Sequence, residues 1–206
     1  MAVKLYSTTY CPYAWSVRIV LNEKGVPFDV FEVDLKNKQA EFLSVSPTAK
    51  VPVLCDGATK IWESMVINEY LEEKYPEPNL LGENPEERAA VRTTVIDLNW
   101  SRSLPLAKLA SVLFYGSEKK DDERVRRQVR LWYQFLDELD EHFAEDDWLT
   151  IGRFSVADIN LYATVSVSVG FGMRLGERAG LHGWLARMNG RASVRRSAPE
   201  ALPQLM

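Results

Sequence analysis

Two short stretches carry the residues that could do chemistry. One is Ser7-Thr8-Thr9-Tyr10-Cys11-Pro12-Tyr13-Ala14-Trp15, and the other is Glu63-Ser64. Pro12 suits the first position of a helix, where a missing N–H costs nothing, so Cys11 is expected at the N-cap. Free backbone N–H groups and the positive end of the helix dipole favour a thiolate there, below the ordinary thiol pKa of about 8.5. A nucleophilic sulfur is the expected chemistry, weighed against the plainer role of a small buried hydrophobe. At Glu63-Ser64 a second helix opens, with Ser64 as N-cap. Its plain role is capping. Its chemical role would be to hold a carboxylate with the helix N-terminus and the Ser64 hydroxyl while Glu63 pairs with an ammonium, a grip suited to an amino-acid head group.

These residues need a scaffold, and the pattern around them supplies one. Val3-Lys4-Leu5-Tyr6 alternates as a strand, Trp15 to Lys24 reads as a helix closed by Gly25 and Pro27, and Phe28 to Val33 reads as a second strand. Such a βαβ unit implies parallel strands with a right-handed crossover. Leu35 to Val45 is a polar helical segment that Ser46-Pro47-Thr48-Ala49-Lys50 ends. Val51-Pro52-Val53-Leu54-Cys55 is a strand with proline at its entrance. A cis Val51–Pro52 bond would turn the Val51 backbone toward a peptide-like ligand. Cys55 reads as packed. Asp56-Gly57 makes a hairpin with Lys60-Ile61-Trp62.

The proline-rich Pro76-Glu77-Pro78 marks a linker, and strand patterns cease beyond it. Asn84-Pro85-Glu86-Glu87 starts a helix expected to reach Tyr115, bent near Pro105. Another opens at Asp121-Asp122-Glu123 and carries the core stripe Val125, Val129, Trp132, Leu136, Leu139 and Phe143. Ser155 and Asp158 form a capping box, with Phe154 and Ile159 as a hydrophobic staple, before a run from Ile159 to Val169 that is apolar nearly all round. Helical segments near Glu177 to Met188 follow. The expected division is residues 1–76, a linker at 77–83, and an all-helical unit at 84–206.

Composition narrows the functional classes. The net charge of -4 argues against nucleic-acid binding. Two cysteines at no metal-ligand spacing argue against a disulfide framework or a zinc site and fit a reducing compartment. No apolar run approaches membrane-spanning length and the N-terminus enters a strand directly, so the expectation is a cytoplasmic protein. His142 and His182 lie far apart near charged or loop sequence and are read as surface residues.

Cys11-Pro12-Tyr13-Ala14, Lys50-Val51-Pro52-Val53-Leu54, Glu63-Ser64 and the Ser155-x-x-Asp158 box, in that order and spacing, resemble the cytosolic glutathione transferases. The resemblance implies an α/β thioredoxin-like N-terminal domain, an all-α C-terminal domain, a cis Pro52, and a homodimer. It also implies glutathione as co-substrate, with no metal. The cysteine-bearing motif and Leu35-Lys36-Asn37-Lys38 are most similar to the omega class. That match implies Cys11 as the catalytic residue, with Pro12, Tyr13, Lys38, Lys50, Val51, Pro52, Glu63 and Ser64 around glutathione. A cysteine at this place favours thiol transfer, through a mixed disulfide, over conjugation. A pocket for a small hydrophobic or disulfide second substrate is expected from Trp15, Trp100, Phe114 and Tyr115. Trp15-Ser16-Val17-Arg18-Ile19 also resembles the zeta class, where a serine takes the place of Cys11. Tyr75-Pro76-Glu77-Pro78-Asn79-Leu80-Leu81 resembles the stringent starvation protein A family, whose members bind RNA polymerase rather than catalyse.

Overall fold

The computed structural model describes residues 3–103, 105–108 and 123–198. β1 (Val3–Ser7), α1 (Pro12–Glu23) and β2 (Phe28–Glu32) form the expected crossover, with β1 and β2 parallel in register from Val3↔Phe28 to Ser7↔Glu32. After the short α2 (Ala40–Leu43), β3 (Val53–Asp56) pairs antiparallel with β1 and turns through Gly57, at φ 61°, into β4 (Thr59–Trp62). The strand order is β2-β1-β3-β4. Period-two alternation divides the sheet's side chains: Val3, Leu5 and Leu54 join the main core with α1 and α3 (Ser64–Lys74), whereas Tyr6 and Val53 pack on Phe42 of α2.

The helical part begins at α4 (Pro85–Asp97), whose N-cap Asn84 accepts from the Glu87 N–H at 2.8 Å. It continues as α5 (Glu123–Glu145), α6 (Val156–Gly170), α7 (Ala179–Asn189) and α8 (Ala192–Ser197). α6 is almost wholly buried and packs on α1, as does α8. The Ser155–Asp158 capping box that starts α6 is formed: the Asp158 carboxylate accepts from the Ser155 N–H, the Leu149 N–H and the Trp184 indole. The sheet unit is thioredoxin-like, and a helical unit follows it, as the sequence leads one to expect.

Four local expectations are corrected. The helix expected over Leu35–Val45 shrinks to the four residues of α2, because Asp34 Oδ1 accepts the Lys36 N–H at 2.9 Å in a turn and only Phe42 has a core to enter. The first long helix, expected to bend near Pro105, breaks earlier, and its expected stretch from residue 109 to Tyr115 lies outside the described residues. α4 ends at Asp97, a π-helical turn spans Leu98–Arg102, and helix resumes at 105–108, starting at Pro105, which has no N–H to donate. Ser64 is the first helical residue of α3 rather than its cap, and Glu63 holds the cap position. α8 extends the helical region beyond Met188.

Candidate functional site

Strand register brings the first-unit site residues to one end of the sheet. Ser7 pairs with Glu32, so the Cys11 loop after β1 and the loop after β2, which holds Lys36 and Lys38, emerge side by side. Tyr6 pairs with Val53, and Val53 with Trp62, so Val51–Pro52 before β3 and Glu63–Ser64 after β4 meet at that same end. The Val51–Pro52 bond is cis, as is Glu77–Pro78. Ser46 fixes the approach: its hydroxyl donates to the Lys50 carbonyl at 3.0 Å and accepts the Lys50 N–H at 3.1 Å. Lys50 itself is exposed and Lys38 half-buried.

Cys11 takes the N-cap of α1 with Pro12 at the first turn, as expected. Its Sγ lies 4.0 Å from the Val51 carbonyl oxygen, within reach of an S–H donor. The expected downward shift of its pKa is not met. Burial pushes the Cys11 thiol up; the Ala14 and Tyr13 N–H groups at the helix start, and then the Arg18 charge, oppose this without cancelling it. The helix terminus does what was expected of it, and desolvation outweighs it.

α3 begins with no side chain capping its first turn, so its N–H groups face the loop end of the sheet. Ser64 is buried at 6% exposure and Glu63 is exposed. Glu63 stands at φ 69°, a left-handed conformation that costs a non-glycine residue about 1–3 kcal/mol and is concentrated at ligand-holding positions.

Cys11 also edges a cavity of about 630 Å³ between the sheet unit and the helices, lined by Pro12, Tyr13, Lys36, Leu106 and Phe171 among others. Its walls are largely apolar, and Tyr10 stacks on Phe171 across it, with centroids 6.4 Å apart and planes at 29°. The Tyr13 hydroxyl donates to the Asn99 carbonyl at 3.3 Å, tying the start of α1 to the π-helical turn. Glu32 Oε1 accepts from the Thr9 N–H at 2.7 Å and its hydroxyl at 3.0 Å, holding the same loop from β2.

The four aromatic residues expected in a pocket fare differently. Trp15 is 2% exposed and turns into the core, edge-on to Tyr162 of α6 at 5.7 Å, because its place on α1 faces the helical unit. Trp100 is 71% exposed: Asn99 in the π-helical turn and Ser103 just after it face Tyr13, which leaves Trp100 in solvent. Phe114 and Tyr115 lie outside the described residues. Lys38, Lys50, Val51, Pro52, Glu63 and Ser64 lie on segments at the same end of the sheet as Cys11 but do not line the cavity. Sequence reasoning missed Glu32, Tyr10 and Phe171, whose meeting depends on long-range packing. It also missed Arg18, which a lone charge on the apolar run Ala14–Leu21 signals. Among the described residues no group of three or more His, Cys, Asp or Glu side chains could hold a metal ion, and no helix is long and apolar enough to cross a membrane.

A family model described as glutathione S-transferase, N-terminal domain, matches residues 5–79. Glutathione S-transferase 1 of Dianthus caryophyllus is 32% identical over 182 residues, spanning 85% of this chain and 81% of that one. The stringent starvation protein A homolog of Coxiella burnetii is 32% identical over 158 residues, 75% of this chain and 70% of that one. Among solved structures, a glutathione transferase from Pseudomonas putida with one glutathione disulfide bound per subunit shares the fold. Its TM-score is 0.83 at 23% identity, over 97% of this chain and 92% of that one. On the extent of these matches, the chain belongs to the glutathione S-transferase superfamily.

Proposed function

We propose that the protein is a cysteine-type, omega-like glutathione transferase that moves glutathionyl groups between thiols rather than conjugating glutathione to electrophiles. The observation that carries this is Cys11 Sγ at the N-terminus of α1, 4.0 Å from the Val51 carbonyl and open to an apolar cavity. The Cys11 thiolate attacks a glutathionyl disulfide G–S–S–R; the S–S bond breaks, an S–S bond to Cys11 forms, and R–S⁻ leaves with the electron pair. A second glutathione thiolate then attacks the adduct, releasing glutathione disulfide and restoring Cys11. Ala14 stands where a CxxC pair has its second cysteine, so resolution falls to glutathione. Val51 offers its backbone to the cysteinyl unit, and Glu63 with the uncapped N-terminus of α3 and Ser64 takes the γ-glutamyl end. Pro12, Tyr13, Lys38, Lys50 and Pro52 complete the glutathione site, residues 1–76 form the glutathione-binding domain, and the protein works as a homodimer in the reducing cytoplasm.

A second reading is favoured by the Coxiella burnetii relative: a binding protein that uses the same fold without catalysis. Intact mass after incubation with glutathione disulfide separates the two. A dithiothreitol-reversible gain of one glutathionyl group, absent in Cys11→Ala, is expected, with its rate rising through the thiol range of pH because burial holds the thiol up. Glu63→Gln is expected to weaken retention on immobilised glutathione. No adduct and no retention of the parent protein would refute the enzyme and leave the binding protein.

A further inference from the structure

Arg18 is the one charged side chain on α1 between Pro12 and Asn22, and it is 7% exposed. Burying a guanidinium is costly unless its charge and its donors are answered. Among the described residues, neither Nε nor Nη2 of Arg18 has a hydrogen-bond partner. The residue stands seven positions after Cys11, two helical turns of about 5.4 Å each along one side of α1. Helical side chains lean toward the N-terminus, so this long side chain is directed back toward the Cys11 end of α1, and its charge and Cys11 act on each other. Ser7, fully buried at the end of β1, also leaves its hydroxyl unpartnered. Two groups act on the Arg18 charge, Glu32 and Cys11. Glu32 spends Oε1 on Thr9 in the Cys11 loop and acts on Arg18 as a nearby charge.

We propose that Arg18 is a positioning residue that supplies the counter-charge for the Cys11 thiolate, its unpartnered guanidinium N–H groups being kept for the anion that forms when the sulfur loses its proton. This deepens the reading above and rests on Cys11 being the reacting thiol. The protonated thiol needs no partner beyond the Val51 carbonyl; the thiolate, in a desolvated place, does. The other titratable groups around the same cavity are Tyr10, Tyr13, Glu32, Asp34 and Lys36. Two of these, Glu32 and Asp34, are carboxylates and cannot supply a counter-charge to a thiolate. Lys36 is exposed on the loop after β2, whereas Arg18 is buried and is the cation whose charge acts on Cys11. Glu32 thereby has two effects: it ties the loop through Thr9 and it draws on the charge that Cys11 uses.

The test is the pH dependence of Cys11 alkylation by iodoacetamide, followed by intact mass with Cys55→Ala as background, because it reads the thiolate without glutathione. Arg18→Gln is expected to move the profile up by a pH unit or more, which is about tenfold slower alkylation at a fixed pH below the transition. Arg18→Lys is expected to restore most of the rate, since it keeps the charge. Glu32→Gln, which keeps an acceptor for Thr9, is expected to move the profile down. An unchanged profile in a folded Arg18→Gln protein would overturn the proposal. So would equal losses in the Gln and Lys variants, which would mark a purely structural arginine. If Arg18→Gln does not fold, Glu32→Gln decides, and an unchanged or raised profile there overturns it. Failure of glutathionyl transfer with these shifts intact would refute the proposed function and not this one.

Discussion

The sharpest energetic consequence of the fold lies at the linker between its two units. Lys24, at the end of α1, ion-pairs with Glu72 of α3, with side-chain exposures of 0% and 8%, and also donates to the Pro78 carbonyl at 2.6 Å. Glu72 uses its other oxygen to accept the Leu80 N–H at 3.0 Å, and the Leu80 carbonyl accepts the Val156 N–H at 2.9 Å where α6 begins. Lys24→Met keeps the apolar stem and opens no large cavity, so its effect isolates the charge. It strands the Glu72 carboxylate with one N–H partner, a cost of about 3–5 kcal/mol for breaking a buried pair. For a domain of this size that is roughly 6–20 °C in Tm. Glu72→Gln in the Lys24→Met background removes the stranded charge while keeping an acceptor for Leu80, and is expected to recover about half of the loss or more. Urea unfolding of the four proteins of this cycle gives the coupling directly. A Lys24→Met loss below about 1 kcal/mol, the range of an exposed pair, would refute the claim that this pair holds the linker.

Two further outcomes are expected. Burial raises Glu23, but hydrogen bonds from Arg191 and Ser193 outweigh it and hold the carboxyl below its ordinary range. Its contribution is therefore present above the unfolded pKa of about 4.3 and lost as pH falls through the lower folded value, so Glu23→Gln should flatten the acid limb of a stability–pH curve; an unchanged acid limb would refute this. Val66, Ile96 and Trp100 leave large apolar side chains exposed on α3, α4 and the π-helical turn. If they meet a second copy, Trp100→Asp should convert a dimer to a monomer in sedimentation, and an unaltered dimer would refute the assignment.

The local punctuation of this chain was legible because the physics behind it is local. Pro12 after Cys11, Asn84-Pro85 and the Ser155–Asp158 box each fix a helix start within a few residues, and the structure has all three. The hairpin at Asp56-Gly57 and the parallel β1–β2 pair followed in the same way. Where the sequence misled, a contact distant in the chain had decided the outcome. Leu35–Val45 carries helical periodicity but too little apolar surface to hold a helix against the sheet, so a side-chain turn at Asp34 won. Trp15 was read by its nearness to Cys11, whereas its direction is set by α6, which comes to α1 from more than a hundred residues away.

The element types, the place of Cys11 at a helix start and the family signalled by the order of motifs can all be read from the residues alone. Capping, turn chemistry and periodicity act over a handful of residues and need no knowledge of the fold. The direction in which that cysteine's pKa moves follows instead from how the chain packs. Helix-end N–H groups favour the thiolate, but desolvation depends on everything packed around the sulfur, and it prevails. The same packing buried Arg18 and drew Tyr10 to Phe171, giving the cavity walls from both units of the chain. Desolvation and long-range juxtaposition are properties of a packed interior, and no window of sequence contains them.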